Sequence, residues 1–211
     1  MNKEIFKLNN PDSILFSTFD IELLTFQSSK KIMAYIQDIK SRTSQILDLQ
    51  AFRIDSLLST NQMLSAIYHA WNGFKNNITI SNQISVEFLL YVSGQRQISK
   101  AIEFFGLEKE EKEFSLIIFH GQEIEKEKLI SLLSEDKIIK NISNLTLTDK
   151  PEKRKCLANI FGYKIQENTT FLTSKEGFKK LENFILTSIS NLVFEGTKSK
   201  INEPIENKQK G

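Results

Sequence analysis

The sequence predicts an α+β fold: a small mixed, largely antiparallel sheet of about four strands packed with about six helices in a single domain. Two observations carry this expectation. Segments of period two and of period 3.6 interleave along the chain, without the Gly-rich turns and repeated βαβ units of a doubly wound sheet. The 211 residues, 40% hydrophobic and 26% charged, suit one domain with its own core. A chain of this size buries roughly 70% of its unfolded surface.

Residues 1–20 are set off as an N-terminal arm, in which Ile5, Phe6 and Leu8 and then Ile14, Leu15 and Phe16 read either as edge strands or as an apolar arm, broken at Asn10-Pro11. The first strand is Ile21 to Gln27, IELLTFQ. In KKIMAYIQDIKS, Ile32, Tyr35, Ile36 and Ile39 share one helical face. QILDLQAFRID reads as a strand with Leu47, Leu49 and Ala51 on one side. Ser59 or Thr60 then caps a helix whose stripe is Met63, Leu64, Ile67, Ala70, Trp71 and Phe74, with Gln62, Ser65, His69 and Asn72 opposite. After NNITISN, QISVEFLLYV is a short helix with Val86, Leu89 and Leu90 inward, and Gly94 stands where a helix end takes positive φ.

A helix restarts with Ile98, Ala101, Ile102 and Phe105 on its apolar face and stops at Gly106. EFSLIIFHG is a buried strand, IEKEKLISLLS a helix, and NLTLT a further strand. Thr148 or Asp149 caps the next helix, which has Pro151 in its first turn and ends at Gly162. YKIQENTTFLT is a loop or short strand, and Ser174 opens a last helix to about Phe194. The domain is expected over residues 21–196, followed by a polar, disordered tail over 197–211.

Composition narrows the function. Cys156 is the only cysteine, which excludes a disulfide framework within the chain and fits a reducing, cytoplasmic location. MNKEIFKLNN lacks the apolar core of a signal peptide, and no later run is long enough to span a bilayer, so no membrane role is expected. With a net charge of +2, any nucleic-acid site is a local patch. There is no GxGxxG, Walker A loop or GxSxG, and neither His69 nor His120 stands in metal-ligand spacing with Cys156. No catalytic residue, cofactor or metal is therefore expected. Glu87 stands out, because it precedes the apolar run Phe88-Leu89-Leu90. It is either a first-turn carboxylate favoured by the helix dipole or a buried partner for Arg96 or a backbone amide.

Over NQMLSAIYHAWNGFK and ISVEFLLYVSGQRQISKAIEFFG the chain resembles the small kinase-binding subunit family of the KEOPS (EKC) complex, the PRPK-binding protein family, in its archaeal-type form. That family has an Ala- and aromatic-rich helix, a Glu followed by apolar residues, S-G-x-R-Q-I, and a helix ending in F-G. The elements here are Ala66 to Phe74, Glu87 to Val92, Ser93 to Ile98, and Phe105-Gly106. The resemblance runs from Ile21 to Phe194. It departs from the family in the N-terminal arm, the QENTTFLTS insertion and the Lys-rich tail.

The resemblance implies a non-catalytic accessory subunit. Its expected partners are the small lobe of an atypical, RIO-like kinase/ATPase, other KEOPS subunits reached indirectly, and tRNA, captured by its single-stranded 3′ CCA end. Contact with that end falls on Arg96 with Gln95 and Gln97 at a helix N-terminus, Lys100 one turn on, and Lys75 and Asn72 at the end of the preceding long helix. The other reading of these residues has Gln95 and Gln97 capping the helix while Arg96 pairs with Glu87. Kinase docking falls on Phe184, Leu186, Ile189 and Val193 of the last helix, which carries more apolar surface than one core-facing stripe needs. The alternatives are a helix wedged in its own core and, for the whole chain, a purely protein-binding allosteric regulator that never touches RNA.

Overall fold

The computed structural model describes residues 14–165 and 170–201, with side chains to residue 192. Four strands, β1 (Leu15–Ser28), β2 (Ile46–Phe52), β3 (Glu110–His120) and β4 (Ile139–Asn144), form one sheet in the order β2-β3-β1-β4. Every pairing in it is antiparallel. Eight helices among the described residues complete the α+β domain: α1 (Ser29–Ser41), α2 (Thr60–Lys75), α3 (Ile84–Ser93), α4 (Ile98–Phe105), α5 (Lys126–Ser134), α6 (Pro151–Phe161), α7 (Thr170–Thr173) and α8 (Lys175–Ile201).

The sheet is covered on both faces, which explains why SLIIF in β3 is a continuous apolar run. Phe114, Leu116 and Ile118 point to a core shared with Phe19, Ile21 and Leu23 of β1, Ile32, Tyr35, Ile36 and Ile39 of α1, and Leu129 and Leu133 of α5. Ile117 and Phe119 point the other way, to a larger core built with α2, α3, α4, α6 and α8. In the same strand Ser115 stays polar because its hydroxyl donates to Asp20 at 2.7 Å, and Asp20 also accepts the Thr146 N–H at 2.7 Å. That carboxylate holds the segment after β4 against the sheet.

Several local expectations are corrected. Residues 15–20 belong to β1, which starts at Leu15: Phe16 alternates inward and pairs with Phe119. The rest of the expected arm, residues 1–13, and the tail beyond Ile201 lie outside the described residues. Leu47 is exposed rather than facing the core with Leu49 and Ala51. The β2–β3 register shifts between Ile46 and Asp48, which leaves Leu47 as the extra residue of a bulge. The strand expected at NLTLT lies just before it, at Ile139–Asn144, while Leu145 and Leu147 pack on the helical core. Neither Thr148 nor Asp149 caps α6, whose N-cap is Lys150. Asp149 instead pairs with Arg154, which also lies 5.1 Å over the Phe178 ring. The last helix runs on to Ile201, beyond Phe194.

Candidate functional site

The site is organised by α3, which is buried almost all round. Its N-terminus has no cap of its own, since Gln83 makes no side-chain capping bond. Asp48 of β2 supplies one from across the fold, accepting the Ser85 N–H at 3.0 Å and the Lys40 ammonium at 2.7 Å. At the other end Gln62 donates to the Val92 carbonyl at 2.9 Å and accepts the Leu58 N–H at 2.7 Å. Gln62 is thus fully buried, not on the outer face of α2. Its two amide bonds are what make that burial tolerable.

Gly94 ends α3 in left-handed backbone, φ 65°, as expected, and lets the chain turn into α4. The turn carries Gln95, Arg96 and Gln97. Neither glutamine caps α4: Gln97 is the N-cap residue but makes no side-chain capping bond, and Gln95 reaches the Ser93 carbonyl at 3.4 Å.

Gln95 and Arg96 line a cleft open to solvent, together with Glu87, Leu90 and Tyr91 of α3, Ile78 and Ile80 of the α2–α3 loop, and Leu192 of α8. Glu87 is only 1% exposed. Its Oε2 accepts the Ile80 and Ser81 N–H groups at 3.1 and 2.9 Å, and Oε1 takes a longer bond from Ile80 at 3.4 Å. Burial pushes its carboxyl up, opposed by the two amides and by the charge of Arg96. Glu87 is thus at once a first-turn carboxylate of α3 and a buried partner of backbone amides, with the charge of Arg96 acting on it. Tyr91 stacks on His69, ring centroids 5.6 Å apart, and His69 meets the exposed Tyr68 ring at 5.4 Å. Burial alone lowers the His69 imidazole below its ordinary range.

The expected nucleic-acid residues are only partly gathered. Gln95 and Arg96 line the cleft. Gln97 and Lys100 are exposed beyond it on the α4 side. Half-buried Asn72 and exposed Lys75 sit in the last turn of α2, just before the loop that forms one wall. Sequence reasoning missed that wall, Ile78 and Ile80, as well as Tyr91 and Leu192. The Glu87 carboxylate that holds the loop was its only local signal.

On α8, Leu181, Ile185 and Ile189 are fully buried. Ile189 therefore belongs to the core and is not part of a free shoulder. Leu186 is half-buried, and half-buried Phe184 packs edge-on against Tyr163 at 5.0 Å. Val193 lies beyond the described side chains. Further exposed apolar surface occurs on α4, where Ile98 and Ile102 are 39% and 51% exposed instead of facing inward with Ala101 and Phe105.

Both ring nitrogens of His120 are taken, by the Ser17 hydroxyl at 3.2 Å and the Gln122 carbonyl at 2.9 Å, and Cys156 is an exposed residue of α6. Among the described residues no group of three or more His, Cys, Asp or Glu is placed to hold a metal ion, and no helix is long and apolar enough to cross a membrane.

A family model described as kinase binding protein CGI-121 matches residues 26–191. No curated protein matches the chain. The family match takes in the last residues of β1, the other three strands, the lining of the cleft apart from Leu192, and most of α8. The chain is a member of the kinase-binding protein CGI-121 family, the KEOPS subunit family that its Glu87–Gly106 motif resembles.

Proposed function

We propose that this chain is a non-catalytic, cytoplasmic accessory subunit of the KEOPS complex that modifies tRNA with threonylcarbamoyl-adenosine. It binds the small lobe of the complex's atypical, RIO-like kinase/ATPase, reaches the other subunits through it, and captures the single-stranded 3′ CCA end of the tRNA. The observation that carries the reading is the kinase-binding family match over residues 26–191. The RNA part is supported by the α3–α4 turn, where a cation and a side-chain amide, Arg96 and Gln95, open onto an apolar cleft with the Tyr91 ring in its wall. The kinase part is supported by the half-buried Leu186 on the outer side of α8.

One observation favours a second reading. Ile98 and Ile102 stand exposed on α4 beside the basic turn, and a paired apolar stripe suits protein better than phosphate. There the turn is a protein contact, and the chain regulates the kinase/ATPase allosterically without RNA. Separable variants test the first reading. Arg96→Glu should weaken tRNA binding and reduce its salt slope by about one while kinase binding persists; Leu186→Glu should do the reverse. An unchanged tRNA affinity and salt slope for Arg96→Glu would remove the RNA assignment.

A further inference from the structure

The two apolar flanks of α8 are not equivalent. At about 100° per residue, Phe184 and Leu186 lie on opposite sides of the core stripe Leu181, Ile185 and Ile189. A partner lying along the outer face of α8 reaches both flanks. The Phe184 flank is already occupied by the chain itself. The Tyr163 ring meets Phe184 edge-on at 5.0 Å, and Phe171 of α7 stacks on Tyr163 at 5.3 Å with the rings 18° apart.

The first turn of α8 is built to receive α7. The contact point is Gly177, about two turns before Phe184 and on the same flank. A Cβ there would collide with the Phe171 carbonyl oxygen and lie 2.7 Å from its carbon, so only a residue without a side chain lets the two backbones approach. The corner between the helices is Ser174. Its N–H donates to the Thr170 carbonyl at 2.9 Å, and its own carbonyl accepts Arg154 Nη1 at 2.7 Å. Asp149 in turn holds Arg154 through Nε at 2.6 Å. A helix of one turn does not sustain itself, so α7 stays in place through this clamp and the ring stack.

We propose that α7 is a strap that withholds the Phe184 flank of α8 from the kinase. While it is seated, the kinase is met through the Leu186 flank alone; its release adds Phe184 and Tyr163 to the docking surface. A seated strap lowers the apparent affinity by the fraction of molecules in which the flank is open. The inference rests on the reading of α8 as the kinase-docking helix and adds a regulated second half to it.

The test measures binding of the small kinase to the full chain by titration calorimetry. Gly177→Ala evicts α7 while making α8 itself a better helix former. It should tighten kinase binding about tenfold, the scale of one recovered aromatic anchor. Phe171→Ala removes the covering ring and leaves both backbones untouched. It should tighten binding in the same direction, and it is the second variant should Gly177→Ala fail to fold. Adding Phe184→Ala to either should cancel the gain. In the wild-type chain, amide exchange read by mass spectrometry over residues 170–177 should be faster in the kinase complex than in the free chain.

Unchanged or weaker kinase binding in both variants, with Leu186→Glu still disrupting it, would overturn the strap and leave α8 docking in place. Slower exchange over 170–177 in the complex would also overturn it, by making α7 part of the interface. Kinase binding that neither the strap variants nor Leu186→Glu alters would overturn both the strap and the docking reading.

Discussion

Gly94 and Gly162 form a matched pair that isolates one packing contact. Both end a helix in left-handed backbone, with φ of +65° and +73°. A Cβ added at Gly94 falls 2.6 Å from Cε1 of Phe161 and 3.0 Å from its Cδ1, whereas one added at Gly162 meets nothing within 4 Å. Gly162→Ala should therefore cost only the left-handed penalty of an L-residue, about 1 kcal/mol. Gly94→Ala carries the same penalty and also forces the Phe161 ring off its seat against Phe105, where the centroids lie 6.4 Å apart. Overpacking of that kind adds about 1–3 kcal/mol, for a total of about 2–4. Urea unfolding of the full chain reads both losses, with an unchanged m-value as the check that only stability moved. In Gly94→Ala/Phe161→Leu the two losses should fall short of their sum by about 1 kcal/mol or more, because shrinking the ring relieves the clash. Equal costs at the two glycines, or strict additivity in the double variant, would refute the account of how the α3–α4 turn is seated.

The scaffold under the turn makes three further predictions. Asp48→Ala removes the remote acceptor for α3 and the partner of Lys40, and should cost about 1–2 kcal/mol in urea unfolding, whereas Gln83→Ala, at the nominal cap, should cost almost nothing. Gln62→Ala leaves the Leu58 N–H and the Val92 carbonyl without their side-chain partner in a buried place, and should cost about 2–4 kcal/mol, measured the same way. Glu87 has a signed pH effect. Its carboxyl is raised in the folded state, so the folded chain binds that proton more tightly than the unfolded one. Wild-type stability relative to Glu87→Gln should therefore improve as pH falls from the raised value toward 4.5, and worsen as it rises back through that window. Denaturant midpoints of the two proteins across that range read the sign, and a difference that moves the other way rules out the buried-carboxylate account.

The elements were legible wherever one local rule governs. Gly94 and Gly162 end their helices because left-handed backbone favours glycine. Ser59 caps α2 through a bond from the Gln62 N–H at 3.2 Å, and Ser174 accepts the Gly177 N–H at 3.0 Å. The four-strand sheet and its α+β class follow from the same periodicities. What escaped depends on partners far along the chain. Leu47 turns outward because β3 sets a bulge opposite it. The cap of α3 comes from Asp48, 37 residues away from Ser85. Gln62 looks like a surface residue by helical period and is buried because Val92 and Leu58 receive it. Ile98 and Ile102 match a helical core stripe, yet only Ala101 and Phe105 reach the core, since α4 is short and touches it along one narrow line. In the cleft, Arg96 and Gln95 were readable from the motif. The loop wall at Ile78 and Ile80 was not, because nothing in NNITISN tells that Glu87 will fasten it.

The central claim, a kinase-binding subunit that holds the end of a tRNA, is tested most directly by binding intact tRNA and the same tRNA trimmed of its 3′ CCA to the full chain, in the presence and absence of the small kinase. The account predicts that the chain alone binds intact tRNA, that trimming removes most of that affinity, and that kinase binding does not depend on the trim. Kinase binding with equal, negligible affinity for both tRNAs would contradict RNA capture and leave the chain a regulator of the kinase alone.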